Sequence, residues 1–386
     1  MPTKKGRTKQ GRSSRRAVSG SKKTSAVSTV KKTTKSTTTE STAKGSKESV
    51  KPVYGLNEIR KDYLLDIEVL ISENRTKRPE DFKNNIKIPK EKNDDPFLPG
   101  NEYKTPSETG RNGSDSKWTS RWFENKFPLF NPDPKERKVK YNPLLQARDA
   151  KGFHEIIVGT PLKNKQAADF TQAQMEELIH VYADEIVRNQ EMPGNKYVVL
   201  FKNEGQNAGT SIVHEHSQLI AMPFVPPRIE DEIQSSGRYF RARKRCVYCD
   251  VIKEETKGAG KNERIAYENK SIIAICPYAS RYNFEVWLFP KFHKSSFKEF
   301  LPKDYADLAD ALLFILKRLK KLGLNYNYEI HYEPLTKSYK ERDSGLHFHI
   351  EVLPRKQIWA GFELGSGILV NNVSPETAAK FYRNGK

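Results

Sequence analysis

The sequence is poor in cysteine, with three in 386 residues, and two of them sit together in Cys246-Val-Tyr-Cys249. That scarcity excludes a disulfide framework and fits a reducing compartment. Long apolar runs are also missing. None approaches the roughly 18–20 residues that span a bilayer, and there is no signal-peptide core. No membrane partner is expected, and the expected location is cytoplasmic.

The first 50 residues are poor in both acid and large apolar side chains. They carry 14 Lys or Arg against Glu40 and Glu48, so most of the chain's net charge of +20 belongs to them. Such a segment buries too little surface to offset the entropy of ordering, and residues 1–53 are expected to form a disordered basic tail. Three roles fit it: a solubilising extension, a weak contact for nucleic acid or another polyanion, or a transit segment.

After the tail, Lys61 to Ile71 is a strand-like Ile/Val/Leu run. Residues 79–120, rich in Lys, Asn, Pro and Gly, read as long loops. From about residue 150 the pattern is regular. Phe153 to Val158 reads as a strand, Thr171 to Gln174 as a capping-box helix start, and Tyr197 to Phe201 as a second strand. A Gly-containing loop then leads to His214-Glu-His216-Ser-Gln218. The order recurs: a strand at Phe284–Phe289, a helix from Pro302 to Leu322, a strand at Tyr328–His331, then His347-Phe-His349. These observations predict an α+β fold of duplicated units, mainly antiparallel sheet flanked by helices. The expected division is 54–235 for the half with the first His-x-His and 236–386 for the half with the cysteine pair.

Alternation along a strand puts His214, His216 and Gln218 on one face, and Glu215 with Ser217 on the other. The preceding loop offers Gly205 and Gly209 for close backbone approach, and Asn203, Asn207 and Ser211 as neutral donors. Donors beside a nucleophilic ring nitrogen suit a phosphate ester. In the second half, Cys246, Cys249, His293 and His347 supply two thiolates and two imidazoles, the donor set of a closed structural zinc site. His349 and Glu351 share a face with His347.

The stretch Phe201-Lys-Asn-Glu-Gly-x-Asn-Ala-Gly-Thr-Ser-x2-His-x-His-Ser-Gln218 resembles the signature of galactose-1-phosphate uridylyltransferases, in the histidine-triad superfamily. Ile59-Arg-Lys-Asp-Tyr63, Arg75-Thr-Lys-Arg-Pro79, Pro99-Gly-Asn-Glu102, Ala360-Gly-Phe-Glu-Leu-Gly365 and Pro375-Glu-Thr-Ala-Ala379 resemble further parts of it, so the likeness runs from about 55 to 384. It implies that His216 attacks the α-phosphate of a nucleotide sugar such as UDP-glucose, and that a sugar 1-phosphate then takes the nucleotidyl group. It implies phosphate contacts for Gln218, Asn203 and Ser211, charge neutralisation by Arg75 and Arg78, and hexose contacts at Glu363 beside Phe362. His214 would support the nucleophile, and a homodimer is implied, the partner completing the sugar pocket.

The chain also departs from the pattern. The family's first Cys-Pro-Phe-Cys reads Asp95-Pro-Phe-Leu98, and the later His of Thr-Pro-x-His is Lys163. Three of four ligands are gone, so the N-terminal half is expected to bind no zinc, and Asp95 is expected to pair with Lys163. Glu215 replaces the Pro common between the histidines. Two other functions stay open: a nucleotide-sugar or dinucleotide phosphorylase of the same superfamily, and a non-catalytic nucleic-acid-binding descendant.

Overall fold

The computed structural model describes residues 57–73, 95–134, 144–145, 147–258, 260–334 and 345–385. The basic tail, Arg75 and Arg78 lie outside the described residues.

The Lys61–Ile71 run is a turn between two strands rather than one strand. β1 (Asn57–Lys61) and β2 (Glu68–Ser72) pair antiparallel. The turn forms because Asp62 Oδ1 accepts the N–H groups of Leu64 and Leu65 at 2.9 and 2.8 Å, a local side-chain bond that competes with extended pairing. The polar 79–120 stretch also differs from expectation. It contains β3 (Glu108–Ser114) and the start of β4 (Lys117–Glu124), a hairpin with two register shifts. Glycines hid it: a Cβ on Gly110 would fall 2.3 Å from the Trp122 ring, so only glycine admits that indole.

The remaining strands extend the same sheet. They are β5 (Phe153–Val158), β6 (Tyr197–Glu204), β7 (His216–Met222), β8 (Ile265–Glu268), β9 (Ile272–Ile275), β10 (Val286–Pro290), β11 (Tyr326–His331) and β12 (His349–Pro354). Their order across the sheet is β3-β4-β5-β7-β6-β11-β12-β10-β9-β8, and every neighbouring pair is antiparallel. β13 (Leu369–Asn371) instead joins β2 in parallel. In sequence each of two stretches runs strand, helix, strand, strand, and in space the last strand sits between the other two, as β5-β7-β6 and β10-β12-β11. Each His-x-His begins two residues before its strand proper, with His216 opening β7 and His349 opening β12.

Helices lie on both faces, since Tyr328 of β11 meets Tyr182 of the first helix while His331, on the other face, meets Glu232 of the second. α1 (Gln172–Glu191) starts at the Thr171–Gln174 capping box, both reciprocal bonds being present. Helix α2 (Pro227–Arg243) is followed by α3 (Val247–Lys257) and α4 (Pro302–Lys321). The short α5 (Gly361–Ser366) and α6 (Pro375–Asn384) end the chain. α1 and α4 pack on each other, and Leu178, Ile179 and Ile186 of α1 share one buried cluster with Leu312, Ile315 and Leu316 of α4. Each such side chain contributes about 1.5–3 kcal/mol by leaving water, so this layer holds the sheet flat against its helices. The opposite face of β7, which carries His216 and Gln218, opens onto a cavity. Among the described residues, no helix is long and apolar enough to cross a membrane.

Candidate active site

His216 sits at the first position of β7 and is 5% exposed. Its Nδ1–H donates to the His214 carbonyl at 2.8 Å, which fixes the tautomer and leaves the Nε2 lone pair unused. The Phe97 ring packs against both His216 and His214, at 5.4 and 5.9 Å between centroids, so the two histidines share a face. Burial pushes the His216 pKa down to about 4, which keeps the ring neutral and nucleophilic at neutral pH.

His216 and Gln218 line a cavity of about 610 Å³ together with Ser211, Lys104 and Lys126, while Phe123 and Phe127 give it apolar walls. Among the described residues, no carboxylate lines it. A cavity of this size, edged with donors and two ammonium groups, suits an anionic small molecule. Asn203 lies on β6, where its Oδ1 accepts from Asn327 Nδ2 at 2.7 Å. The loop that follows turns at Gly205 and Gly209, with φ of 85° and 87°. Gly205 could hold no side chain, since its Cβ would meet Asn325 Nδ2 at 2.0 Å.

Asp95 is bonded to His214, Oδ2 lying 2.8 Å from Nδ1, and the other His214 nitrogen is 2.7 Å from the Thr160 carbonyl. The expected partner, Lys163, is thus not the one that the structure gives this carboxylate. His214 thereby ties the Asp95–Leu98 segment and the Thr160 loop to the approach to β7.

Beneath the strand, Glu215 points away from the cavity, as alternation requires. Its Oε1 accepts from Lys202 Nζ at 2.7 Å and its Oε2 from the Gly159 N–H at 2.8 Å. Lys202 also donates to the His216 carbonyl at 3.0 Å. Burial opposes the ammonium charge, but Glu215 and Glu204 outweigh it and the Lys202 pKa is raised. Removing one partner of a buried pair strands the other, at a cost of about 3–5 kcal/mol. Lys202→Met is therefore expected to lower the urea midpoint strongly, and Lys202→Met with Glu215→Leu to recover most of it. A single variant as stable as the parent would show that the pair does not hold this strand.

The four residues expected to bind metal converge. Cys246 caps α3, Cys249 lies in its first turn, His293 follows β10, and His347 precedes β12. Cys246 Sγ is 3.8 Å from His347 Nδ1, and Cys249 Sγ is 3.5 and 3.7 Å from the Nδ1 atoms of His347 and His293. The edge of a tetrahedron with Zn–S near 2.3 Å and Zn–N near 2.1 Å is about 3.6 Å, so the donor set fits zinc. His347 Nε2–H donates to the Pro290 carbonyl at 2.9 Å, which turns Nδ1 to the centre. The neighbouring Cys246 thiol, with His293 and His347, draws Cys249 down to about 3, so a thiolate is already favoured. A second group, Glu232, His331, His349 and Glu351, also brings four possible ligand atoms within 4.8 Å of one another. There Arg228 and Arg281 both hold Glu351, at 3.2 and 2.8 Å, and supply the positive charge that a dication would bring.

Glu363 and Phe362 lie on α5 and are not among the residues lining the His216 cavity. Glu363 Oε2 accepts the Ala360 N–H at 3.0 Å, and Phe362 is 53% exposed. Residues that the sequence did not single out include Phe97, Asn125, Lys104, Lys126, His154, Lys202 and Asn327. His154 lies on β5, and Asn327 is the direct cross-strand partner of Asn203, a pairing that only the fold reveals.

Residues 35–226 match the profile of the galactose-1-phosphate uridyl transferase N-terminal domain, and residues 157–381 that of a domain of unknown function, DUF4921. The chain is 30% identical over 338 residues to an ADP-glucose phosphorylase of Arabidopsis thaliana, covering 84% of this chain and 92% of the relative. It is 29% identical over 271 residues to a galactose-1-phosphate uridylyltransferase of Thermotoga maritima, covering 68% and 83%. Among solved structures, an Arabidopsis thaliana ADP-glucose phosphorylase with bound ADP-glucose matches with a TM-score of 0.71 at 28% identity, over 85% of this chain and 99% of that one. A uridylyltransferase matches with a TM-score of 0.65 at 26% identity, over 85% and 97%.

Proposed function

Because the chain belongs to the galactose-1-phosphate uridylyltransferase family, we propose that it moves a nucleotidyl group from a nucleotide sugar to a second phosphate acceptor by way of His216. The observation that carries this reading is the unengaged Nε2 of a neutral, tautomer-fixed imidazole at a donor-lined cavity. Nε2 forms a bond to the α-phosphorus while the bond to the departing sugar 1-phosphate breaks. The acceptor's phosphate oxygen then attacks the same phosphorus and releases His216. Gln218, Asn203 and Ser211 hold phosphate oxygens, with Arg75 and Arg78 assigned charge neutralisation, and His214 holds the ring through its carbonyl. The kinetics are ping-pong, because one cavity serves both half-reactions.

The acceptor defines two modes. With UDP-glucose and a hexose 1-phosphate the enzyme acts as a uridylyltransferase in galactose and nucleotide-sugar metabolism. With inorganic phosphate it acts as a phosphorylase, a mode favoured by similarity across 92% of an ADP-glucose phosphorylase. Incubating the protein with UDP-glucose or ADP-glucose, and with galactose 1-phosphate or phosphate in turn, separates them. Product from one pairing alone assigns the mode, and no nucleotide transfer in any pairing overturns the proposal.

Two histidine-triad-like units, 54–235 and 236–386, account for the recurring strand order within this reading. Cys246, Cys249, His293 and His347 hold one structural zinc, which takes no part in the transfer. Glu363 and Phe362 serve a hexose site completed across a homodimer, a role consistent with the exposure of Ile358, Phe362 and Leu364 in one segment.

A further inference from the structure

Gln218 and Asn203 can each turn either an N–H2 or a carbonyl oxygen to a substrate, and only the first suits a phosphate. Backbone groups, whose polarity is fixed, determine the choice. The Leu129 N–H donates to His154 Nδ1 at 3.1 Å, so that nitrogen is the unprotonated one. Burial lowers the His154 pKa and keeps the ring neutral, so the hydrogen is on Nε2. Nε2 lies 2.9 Å from Gln218 Oε1, which must therefore be the acceptor. The Gln218 amide nitrogen is left facing the other way. Asn125 Nδ2 stands 3.5 and 3.2 Å from Nδ1 and Nε2 of His154 at once, off the lone-pair axis of either, and does not alter this assignment.

The second case is built in the same way from the other side. The Ala208 carbonyl accepts from Asn327 Nδ2 at 2.9 Å, so that atom is a nitrogen. It also lies 2.7 Å from Asn203, whose facing atom must then be oxygen. Antiparallel pairing sets Phe201 opposite Gln218. Two residues further along, Asn203 falls opposite His216 on the same face.

We propose that His154 and Asn327 are positioning residues that set the donor polarity of the phosphate site, by holding the Gln218 and Asn203 carbonyls away from the substrate. The inference rests on the reading of that cavity as a phosphate site. Neither residue touches the reacting atoms; each acts through one amide.

The test is a pair of double-mutant cycles on the full chain, read by calorimetric titration with uridine and adenosine monophosphates and, as controls, the two nucleosides. Gln218→Ala and Asn203→Ala are each expected to weaken nucleotide binding about tenfold, the scale of one lost charge-assisted hydrogen bond. His154→Phe should reproduce most of the first loss and Asn327→Leu most of the second, with nucleoside affinity unchanged. Each should add nothing in the background of its own partner's alanine variant. Full additivity, or His154→Phe and Asn327→Leu binding nucleotide like the parent, overturns the proposal. Alanine variants that both bind normally overturn the phosphate reading itself. The two cycles are independent, so an unfolded variant in one leaves the other to decide.

Discussion

His216→Asn is expected to abolish turnover, with kcat falling by roughly 10⁴–10⁶-fold, the range seen when a covalent nucleophile is removed. Asparagine keeps a donor for the His214 carbonyl but offers no basic nitrogen at the position of Nε2. The rest of the cavity would still bind nucleotide, so KM should move far less than kcat. Incubating the parent with a nucleotide sugar labelled at the α-phosphate, without acceptor, should leave acid-labile label on the protein, and His216→Asn should leave none. Label retained by the variant would move the nucleophile elsewhere.

The pH dependence follows from the same residue. His216 titrates near 4 when folded, against about 6.5 when exposed. The acid limb of kcat/KM assigned to the nucleophile should therefore lie near pH 4. The sign for stability is fixed: between pH 6.5 and 4 the unfolded chain binds a proton that the folded chain refuses. Stability thus falls as pH drops through that window, by about 3 kcal/mol once pH 4 is reached.

Stripping the metal is expected to have the second large effect. The four ligands belong to α3, the segment after β10 and the approach to β12, three pieces that the cysteine–histidine set ties at one point. Structural zinc contributes on the order of 10 kcal/mol of binding free energy to such folds. Purified protein should carry close to one zinc per chain by elemental analysis. A strong chelator, or Cys249→Ser, should lower the melting temperature by well over about 10 °C. Activity should fall with it, since β12 supports β11 and β11 pairs with β6 beside the phosphate loop. Protein purified without metal and equally stable would remove zinc from the account.

Much of this was legible in the residues. Apolar periodicity located β5, α1, β6 and α4 to within a few positions, because each buries a regular stripe. The Cys-x2-Cys and the two His-x-His pairs singled out Cys246, Cys249, His293 and His347, which the fold brings together, and His216, which lines a cavity. The β3–β4 hairpin was not legible: β3, Glu-Thr-Gly-Arg-Asn-Gly-Ser, has no apolar alternation, and Gly110 faces the Trp122 ring of β4. Asp95 was read as the remnant of a metal site and given a lysine, because local sequence cannot say that His214 lies 2.8 Å away. The orienting roles of His154 and Asn327 were hidden for the same reason. They are set by partners 64 and 124 residues distant along the chain.

The pairing of β6 with β11 also has a consequence in time. A ribosome adding roughly 5–20 residues per second needs roughly 6–25 s after β6 emerges before β11 can be made. Throughout that wait, the flank that β11 later covers, Phe201–Glu204, stays open to other nascent chains. A charged side chain pointing inward is one of the devices that make such a flank a poor template for foreign strands. Lys202 lies within that flank and points inward to Glu215, so it is a residue of this kind.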